Sequence, residues 1–560
     1  MTNFKYQLSE KEISEKIVKG MTPALIESFF KELKLKAIRM KTDYITEEMM
    51  YEVLKMIKQN NKDFFKDSKF KILQPYDIKG NMNDLIGYED IKEELLQIKD
   101  MFEKRKLFKE NGIQDIFNIL LSGPAGTGKT KMVSYLAKEL NIPMISGTGN
   151  VGNKYQNSGA NEIKELFDKA NQVAKMNNSP IIIFLDESQK LFVDRTSQQQ
   201  SVNNTSNDNL MAQNELLSQL DGVNTVDGVD IIFIAASNFS DNDIKLDEAM
   251  SRRFLKKIFF RLPNKNERIE IVKSFVKKIN KDLLEEELDY DNIAEMTTFM
   301  SPALIENLFK ETVITAIRKE IKVNNKLILN TLEILQVGKP DIKVTENQKE
   351  NQEKIARHEI GHFITSFICD LNNKINKKFN RNINIENYKE NIDFLNSLNN
   401  KTEFINEVLN DIKTLKISIQ PVAKINALGF HWFKQSEENL LLSKEEYEFN
   451  VISLYGGFVA ERFYYGDEKV TLGFSNDLEK ITKILKQMVK MGLYSNNKFY
   501  IIEDKDYISK KMDEVSSKLF NISLKIIEQE KYLEDILFEP LMKNFELDKN
   551  DIIKILKKEI

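Results

Sequence analysis

The sequence predicts a multidomain protein in which an α/β module with a parallel sheet and a helical lid precedes a mainly helical domain. A length of 560 residues suits roughly three or four domains. Between about residues 66 and 262, strand-like runs such as "FNILLSG", "PIIIFLDE" and "VDIIFIAASN" alternate with amphipathic helices. This alternation is typical of a parallel sheet with helices on both faces. Elsewhere apolar residues recur at helical spacing, except in the strand-like "LKISIQPVAKINALGFHWF".

Charge and cysteine content exclude several classes of protein. Apolar residues make up 41% of the chain, and a formal net charge of -4 gives no global sign of a nucleic-acid partner. The single cysteine, Cys369, excludes an intrachain disulfide and fits a reducing compartment. No apolar run approaches the roughly 20 residues of a spanning helix, and the first 20 residues lack a signal-peptide core. We therefore expect a soluble, cytoplasmic protein.

Three polar segments interrupt the predicted domains. "TSQQQSVNNTSNDN" (196–209) is low in complexity and predicts a mobile loop. "VGKPDIKVTENQ" (337–348) predicts a linker. "NNKINKKFNRNIN" (372–384) is rich in lysine and asparagine, and we interpret it as a solvated insertion.

An internal repeat joins two distant parts of the chain. "MTPALIESFFKELKLKAIR" begins at Met21 and "MSPALIENLFKETVITAIR" at Met300, with twelve of nineteen positions identical. In both segments Ser or Thr followed by Pro begins an amphipathic helix as N-cap and first-turn residue. The repeat predicts two copies of one helical subdomain.

"GPAGTGKT" fits the P-loop pattern in full, and it follows a predicted strand and precedes a predicted helix. Its glycines allow backbone N–H groups to surround phosphates at a helix N-terminus. Lys129 would reach the β- and γ-phosphates of ATP, and Thr130 would offer its hydroxyl to Mg²⁺. The candidate nucleotide-binding residues are Gly123, Pro124, Ala125, Gly126, Thr127, Gly128, Lys129 and Thr130.

An acidic pair ends a buried strand about sixty residues later, in "IIIFLDE". Alone, such a pair is usually just a strand end. After a P-loop it indicates a hydrolysis site, where Asp186 holds Mg²⁺ directly or through water and Glu187 polarises the attacking water.

"ARHEIGHFITSF" (356–367) carries two of the three histidines in the chain. His358 and His362 lie one helical turn apart and project from one face, so their imidazoles could bind one Zn²⁺. Glu359 lies beside them as a candidate general base. The bland alternative is a helix with two hydrogen-bonded histidines.

A catalytic zinc needs a third protein ligand and an open position. Two residues are candidates. His431, in "GFHWF", is the remaining histidine and falls on a predicted strand. Asp477, in "TLGFSNDLEK", falls in the first turn of a predicted helix with Ser475 as its cap, where the helix dipole would stabilise the carboxylate.

The order of P-loop, "FLDE", "IAASN" and "MSRRF" resembles an AAA+ ATPase. The resemblance implies that Asn238 senses the γ-phosphate. It implies that Arg252 and Arg253 reach a neighbouring subunit's site as arginine fingers, and which of them is catalytic stays open. The helical part after Pro263 resembles the AAA+ lid, so the Met21 copy resembles an orphan lid.

Two further segments match positions of the same family. "DLIGYEDIKEEL" resembles the segment that packs on the adenine, near Ile86 and Gly87. "NKYQNSG" occupies the place of the central-pore loop, which implies that Tyr155 grips an extended polypeptide.

"YGGFVAERFYYG" followed by "TLGFSND" resembles the FtsH-like AAA+ zinc proteases, and the resemblance runs from about Asn83 to the end. It implies His358, His362 and Asp477 as zinc ligands, with Glu359 catalytic and His431 on the substrate-cleft strand. Glu461 in "AER" matches an acid that orients a ligand.

The resemblance implies four segments: a lid-like segment at 1–65, an AAA+ large subdomain at 66–262, a lid at 263–340 and a zinc peptidase at 346–560. It implies an ATP-dependent zinc endopeptidase that uses Zn²⁺, ATP and Mg²⁺ in a ring of six and acts on unfolded or tagged proteins. The alternative is a remodelling ATPase with an inactive peptidase domain. The sequence departs from the family in lacking membrane-spanning helices and in an insertion at about Asp370 to Lys413.

Overall fold

The fold described below is that of a computed structural model. The structure describes residues 5–7, 13, 23–50, 52–53, 56, 70–111, 117–149, 158–177, 179–192, 204–222, 230–238, 248–254, 256–285, 288–340, 349–425, 427–434, 442–495 and 501–559. The chain forms two compact units, one of residues 1–278 with 299–309 and the other of 279–298 with 310–560. Among the described residues, no helix is both long enough and apolar enough to cross a membrane.

A six-stranded sheet forms the centre of the first unit, in the order β3-β5-β6-β7-β4-β8. Strand β3 runs antiparallel to β5, and the other pairs are parallel. The strands are β3 (Lys71–Leu73), β4 (Asn118–Ser122), β5 (Met144–Thr148), β6 (Ile181–Asp186), β7 (Ile231–Ala236) and β8 (Lys256–Phe259). The continuous apolar runs predicted as strands are β4, β6 and β7, and β6 and β7 are buried from end to end apart from Asp186. The predicted parallel-sheet domain is confirmed.

Helices cover both faces of this sheet, and two apolar cores lie between the helices and the strands. The helices of this part are α2 (Glu89–Glu103), α3 (Arg105–Glu110), α4 (Lys129–Leu140), α5 (Ser158–Asn177), α6 (Asn204–Gly222), α7 (Glu248–Ser251) and α8 (Lys265–Val276).

The polar segment 196–209 was predicted to be a loop, and this prediction is wrong for its second half. Residues 204–209 form the first turns of α6, where the side chain of Asp208 is buried. The polar composition is misleading because these residues directly precede an amphipathic run, and the helix formed by that run begins within them. Residues 196–203 lie outside the described part of the chain.

The two copies of the internal repeat have the same local fold. The first contains β1 (Lys5–Tyr6), α1 (Pro23–Arg39) and β2 (Tyr44–Ile45), and β1 pairs with β2 in parallel. The second contains α9 (Tyr290–Met296), α10 (Pro302–Lys319) and α11 (Asn325–Gln336), and Leu284 pairs in parallel with Val323.

Details at the ends of the helices match as well. Helices α1 and α10 are each followed by a left-handed residue, Lys41 at φ 53° and Glu320 at φ 54°. The next helix of each copy begins with a side-chain cap. Thr46 Oγ1 accepts a hydrogen bond from Met49 N at 3.2 Å, and Asn324 Oδ1 accepts one from Leu327 N at 2.9 Å. The copies are 279 residues apart up to Lys41 and Glu320 and 278 residues apart from the caps onward, so the first copy has one extra residue before its cap.

The rest of the second unit is mainly helical, as predicted. Its helices are α12 (Lys349–Phe379), α13 (Tyr388–Asn396), α14 (Lys401–Asn410), α15 (Lys444–Tyr465), α16 (Ser475–Lys490), α17 (Lys505–Gln529), α18 (Lys531–Asn544) and α19 (Lys549–Glu559). A three-stranded antiparallel sheet has the order β10-β9-β11, with β9 (Thr414–Ser418), β10 (Phe430–Phe433) and β11 (Glu546–Asp548). One large apolar core joins α12, α15 and α17.

The interpretation of residues 372–384 as a solvated insertion is wrong. Helix α12 continues to Phe379, and both Asn372 and Ile375 are buried. The asparagines are tolerated because they bond to one another: Asn391 Nδ2 donates to Asn372 Oδ1 at 2.7 Å and to Asn376 Oδ1 at 2.8 Å. Buried polar groups are acceptable when they are paired. The predicted insertion at 370–413 is therefore helical and part of the core.

Candidate functional site

The candidate metal site lies where α12 and α15 cross at close range. A Cβ atom on Gly361 would collide with the backbone of Gly456, and the reverse holds too. At Gly457 a Cβ would lie 2.5 Å from His358 Nε2 and 2.6 Å from His362 Nε2. An apolar stripe is buried on the other side of α12, and it consists of Ile360, Phe363, Ile364, Phe367 and Ile368. The glycines of "YGGF" therefore keep a space open in front of both imidazoles, a role that sequence reasoning missed.

The structure brings His358, His362 and Asp477 together. His358 Nε2 lies 3.0 Å from His362 Nε2, and Asp477 Oδ2 lies 3.7 Å and 3.3 Å from these two atoms. Tetrahedral ligands at the usual zinc distances are separated by about 3.4 Å. Nitrogen and carboxylate donors at this spacing fit one Zn²⁺, and the three form the metal-ligating group found among the described residues.

The other ring nitrogens have fixed partners. His358 Nδ1 donates to Glu461 Oε1 at 2.7 Å, and His362 Nδ1 donates to the carbonyl of Ser453 at 2.7 Å. Glu461 also accepts from Thr471 N at 2.9 Å. These bonds place a proton on both Nδ1 atoms and turn both Nε2 atoms towards Asp477, where they would bind a cation in place of a proton, the orientation typical of metal-binding histidines.

Asp477 lies in the first turn of α16, as predicted. The expected cap is wrong: the helix begins at Ser475 itself, Phe474 occupies the N-cap, and no side chain caps the helix. Burial opposes ionisation, but hydrogen bonds from His358 and His362 outweigh it and hold the pKa of Asp477 well below its usual range. The carboxylate is therefore charged and ready to bind a cation.

Electrostatics favour positive charge at this place. Burial lowers the pKa of His358, yet hydrogen bonds with Asp477 and Glu461 raise it to about 10. A site that binds a proton this firmly carries an excess of negative charge, which a divalent cation would neutralise instead.

Glu359 is buried beside the cluster, and burial raises the pKa of its carboxyl group above the ordinary value. The chain passes close to it at Gly429, where a Cβ would lie 3.1 Å from Glu359 Oε1. A carboxylate in such surroundings is suited to accept a proton, because burial makes the base stronger.

The remaining histidine is not part of the cluster. His431 lies on β10, and its Nε2 is 2.8 Å from Thr414 Oγ1. Burial lowers its pKa to about 3, so the ring is neutral. Of the two candidates for the third ligand, Asp477 is the one near both imidazoles.

The P-loop connects β4 to α4, with Gly128 at the N-cap of the helix. Gly123, Gly126 and Gly128 all have positive φ, and a Cβ on Gly123 would collide with the carbonyl of Phe260. Lys129 Nζ donates to the carbonyls of Gly123 at 2.7 Å and Pro124 at 2.9 Å. Burial lowers its pKa to about 8, with Asp186 opposing the change. An anionic phosphate would raise it again.

The acidic pair lies at the end of β6, next to the P-loop. Thr130 Oγ1 donates to Asp186 Oδ2 at 2.7 Å, so the two predicted Mg²⁺-binding residues are already adjacent. Glu187 is exposed with a left-handed backbone at φ 50°. Asn238 follows β7 and is exposed. Strands β6 and β7 are neighbours, so all these groups share one edge of the sheet.

The two candidate arginine fingers have different surroundings. Arg253 donates from Nε and Nη2 to the two carboxylate oxygens of Asp221, at 2.7 Å and 2.8 Å. Arg252 pairs with Glu248 on its own helical turn, and its side chain is 73% exposed. Asp221 was not singled out from the sequence, since nothing local marks it as an arginine partner.

Ile86 and Gly87 are the other residues that were predicted to contact the nucleotide. Ile86 is half-buried, and Gly87 has φ 77° and lies against Glu267, which accepts a hydrogen bond from Tyr88 N at 3.2 Å. Tyr155 lies outside the described residues. Sequence reasoning also missed that α10 begins on the P-loop: Ala303 N donates to the carbonyl of Gly126 at 3.2 Å.

The fold thus combines a mostly parallel sheet that carries a P-loop and an acidic pair with a mainly helical part that carries the HExxH sequence. Residues 119–262 match the family described as ATPase family associated with various cellular activities (AAA), and residues 404–503 match Peptidase family M41. The first range contains the P-loop, the acidic pair and both arginines. The second contains Glu461 and Asp477, and it begins after the zinc-site helix.

Curated relatives align with about three quarters of this chain. The chain is 29% identical over 414 residues to the ATP-dependent zinc metalloprotease FtsH of Ureaplasma parvum, covering 73% of this chain and 49% of the relative. Proteins with the same description in Streptococcus pneumoniae and Aquifex aeolicus are each 28% identical, with 76% of this chain and 57% and 59% of theirs covered. The chain thus spans about half the length of the curated relatives it matches. The resemblance to FtsH-like AAA+ zinc proteases is confirmed.

Proposed function

We propose that this chain is an ATP-dependent zinc metalloendopeptidase. The observation that carries the proposal is the meeting of His358, His362 and Asp477 around one point, with Glu359 beside them. The same chain holds a P-loop next to an acidic pair, which supports the dependence on ATP. The names of the relatives agree with both parts.

Each residue of the metal site has a distinct task. His358, His362 and Asp477 hold the cation, and Glu461 and the Ser453 carbonyl keep the rings in the ligating orientation. A zinc ion held by these residues would supply Lewis-acid chemistry at the scissile carbonyl and at a water molecule. Glu359 accepts the proton of the attacking water and donates it to the amine that leaves. Because His358, Glu359 and His362 are buried, we expect only an extended polypeptide to reach them.

The P-loop module provides the motor in this proposal. Lys129 binds the β- and γ-phosphates, while Thr130 and Asp186 hold Mg²⁺. Glu187 orients the attacking water and Asn238 senses the γ-phosphate. Ile86 and Gly87 contact the adenine. Arg252, which is exposed, reaches the site of the next subunit in a homohexamer.

Unfolded or tagged proteins are the proposed substrates, because a site enclosed between helices cannot accept a folded chain. Tyr155 would grip the polypeptide at the pore of the ring. ATP dependence places the activity inside the cell, and we propose the cytoplasm. The four segments 1–65, 66–262, 263–340 and 346–560 act as lid-like segment, ATPase, lid and peptidase.

Casein degradation by purified protein tests the proposal. We expect cleavage with ATP and Zn²⁺, loss of cleavage in Glu359→Gln with ATP hydrolysis kept, and loss of both in Glu187→Gln. ATP hydrolysis by the wild type without casein cleavage, with zinc bound, would contradict the proposal and favour a remodelling ATPase.

A further inference from the structure

The hairpin of β9 and β10 lies against the lid helices within the second unit. Lys416 Nζ on β9 pairs with Glu333 Oε2 on α11 at 2.8 Å, and both side chains are largely buried. Trp432 Nε1 on β10 donates to Gln336 Oε1 at 3.2 Å. A charge pair removed from solvent resists separation, since each partner left alone would be a buried charge.

Further contacts extend this attachment over the length of the hairpin. Lys434 pairs with Glu295 of α9, and Lys424 Nζ donates to the carbonyl of Leu335. A Cβ on Gly338 would lie 2.8 Å from both Val422 Cγ1 and Lys424 Cβ. A cavity of about 390 Å³ remains between the lid and the hairpin, with His431 in its wall.

The opposite side of the same hairpin faces the candidate metal site. Gly429, just before β10, approaches the Glu359 carboxylate and Ile355 of the zinc-site helix. The His431 ring packs edge-on against Phe363 at 6.3 Å between centroids. A displacement of the hairpin by less than 1 Å would therefore change the space around Glu359, because packed interiors do not deform continuously.

The internal repeat provides a comparison within the chain. With the copies aligned on their caps, Thr46 and Asn324, the positions of Glu333 and Gln336 correspond to Lys55 and Lys58. In this sequence alignment the first copy thus has lysines at the positions where the lid has the partners of Lys416 and Trp432. The lid has residues that fit the hairpin. The fold that the two copies share does not explain why the residues at these positions differ between them.

We propose that Glu333 and Gln336 are positioning residues that couple the lid to the peptidase. Helix α10 begins on the P-loop at Gly126, so a change of nucleotide at the P-loop moves the start of a lid helix. The lid transmits this movement through Lys416 and Trp432 to the hairpin and hence to Glu359. Cleavage of a peptide too short to need unfolding then depends on the nucleotide bound. The proposal rests on the proposed function.

Hydrolysis of a short fluorogenic peptide by the full chain tests this coupling, measured without nucleotide, with ADP and with a non-hydrolysable ATP analogue. We expect wild-type rates to differ between these states by about threefold to thirtyfold, the range of coupling through packed networks. Glu333→Lys should remove the difference while zinc content and ATPase rate stay near wild type. Glu311→Lys is the matched control, since Glu311 is exposed on the lid helix α10, and it should respond as wild type does.

Trp432→Phe is a milder second variant, because it removes the N–H donor together with one ring of the indole and keeps one aromatic ring and the charges of the hairpin. We expect it to reduce the nucleotide response without changing the melting temperature. Equal wild-type rates in all nucleotide states, or an unchanged response in both variants, would overturn the coupling while leaving the peptidase intact. Failure of the zinc-loaded wild type to cleave the peptide in any state would contradict the proposed function itself, and the coupling with it.

Discussion

Several groups of the candidate nucleotide site are exposed, whereas most groups of the candidate metal site are buried. Glu187 and Asn238 are exposed at one edge of the sheet, and Arg252 extends from the surface towards solvent. His358, His362 and Glu359 are buried, and every metal-site group comes from within the second unit. Under the proposed function, the difference means that a neighbouring copy completes the first site, while the second needs only its own chain and an ion.

The largest expected effect concerns Arg252. Arg252→Ala should lower ATP hydrolysis by about 10³-fold or more, because an arginine finger stabilises charge on the transferred phosphoryl group. Arg253→Ala should cost less, since Arg253 is held by Asp221. Steady-state ATPase rates of both variants measure this, and a larger loss in Arg253→Ala would reverse the assignment.

Mixing two inactive variants sharpens the same prediction. Subunits with Arg252→Ala retain Glu187, and subunits with Glu187→Gln retain Arg252, so mixed assemblies contain complete sites at some interfaces. ATPase activity should therefore recover on mixing. No recovery would show that the nucleotide site is as self-contained as the metal site.

The metal site should behave in the opposite way. Glu359→Gln should lower peptide hydrolysis by about 10²- to 10⁴-fold, the usual contribution of a general base. Mixing it with His362→Ala should restore nothing, because each subunit holds its own full set of groups. Cleavage assays on the mixture check this, and any recovery above the sum of the two variants would break the comparison.

Glu461 offers a smaller effect at the same site. Glu461→Gln keeps the shape but weakens the bond to His358, and we expect about 10- to 100-fold weaker zinc binding. The exposed Glu468 supplies the control, as Glu468→Gln. Competition with a chelator measures both affinities, and equal values would mean that Glu461 does not orient the ligand.

The smallest expected effect concerns Glu534, a buried carboxyl group outside the candidate metal site. Burial raises the pKa of Glu534 to about 7, with Arg357 opposing the change. When the pKa of an acid is higher in the folded protein than in the unfolded chain, the protein loses stability as the pH rises between these two pKa values. For Glu534 this loss is up to about 3 kcal/mol by pH 7. Glu534→Gln should therefore melt higher than wild type at pH 8, by a few degrees. At pH 5 the gain should vanish, and a gain of equal size at both pH values would contradict this account.

Local sequence patterns predicted those parts of the molecule whose structure depends on residues close together in the chain. Examples are the P-loop, the strands β4, β6 and β7 and the HExxH helix, because their hydrophobic period and glycine spacing are visible in the sequence itself. The order of the motifs and the resemblance added Asp477, which lies more than a hundred positions from His358. The residues alone did not decide between Asp477 and His431 as the third metal ligand.

Contacts between distant segments could not be predicted. Gly457 is needed only because α15 crosses α12 there, and Asp221 matters only because α6 lies beside Arg253. The buried asparagines at Asn372 and Asn391 show the same limit, since composition cannot reveal that two amides satisfy each other. Helix ends were also uncertain, as the start of α16 at Ser475 shows.

The central claim is that His358, His362 and Asp477 bind one zinc ion. Anomalous diffraction at the zinc edge from crystals of the purified protein tests it most directly. We expect a single strong peak at about 2.0–2.2 Å from both Nε2 atoms and from an Asp477 oxygen. No peak there in zinc-loaded protein, or a peak that Asp477 does not touch, would contradict the claim.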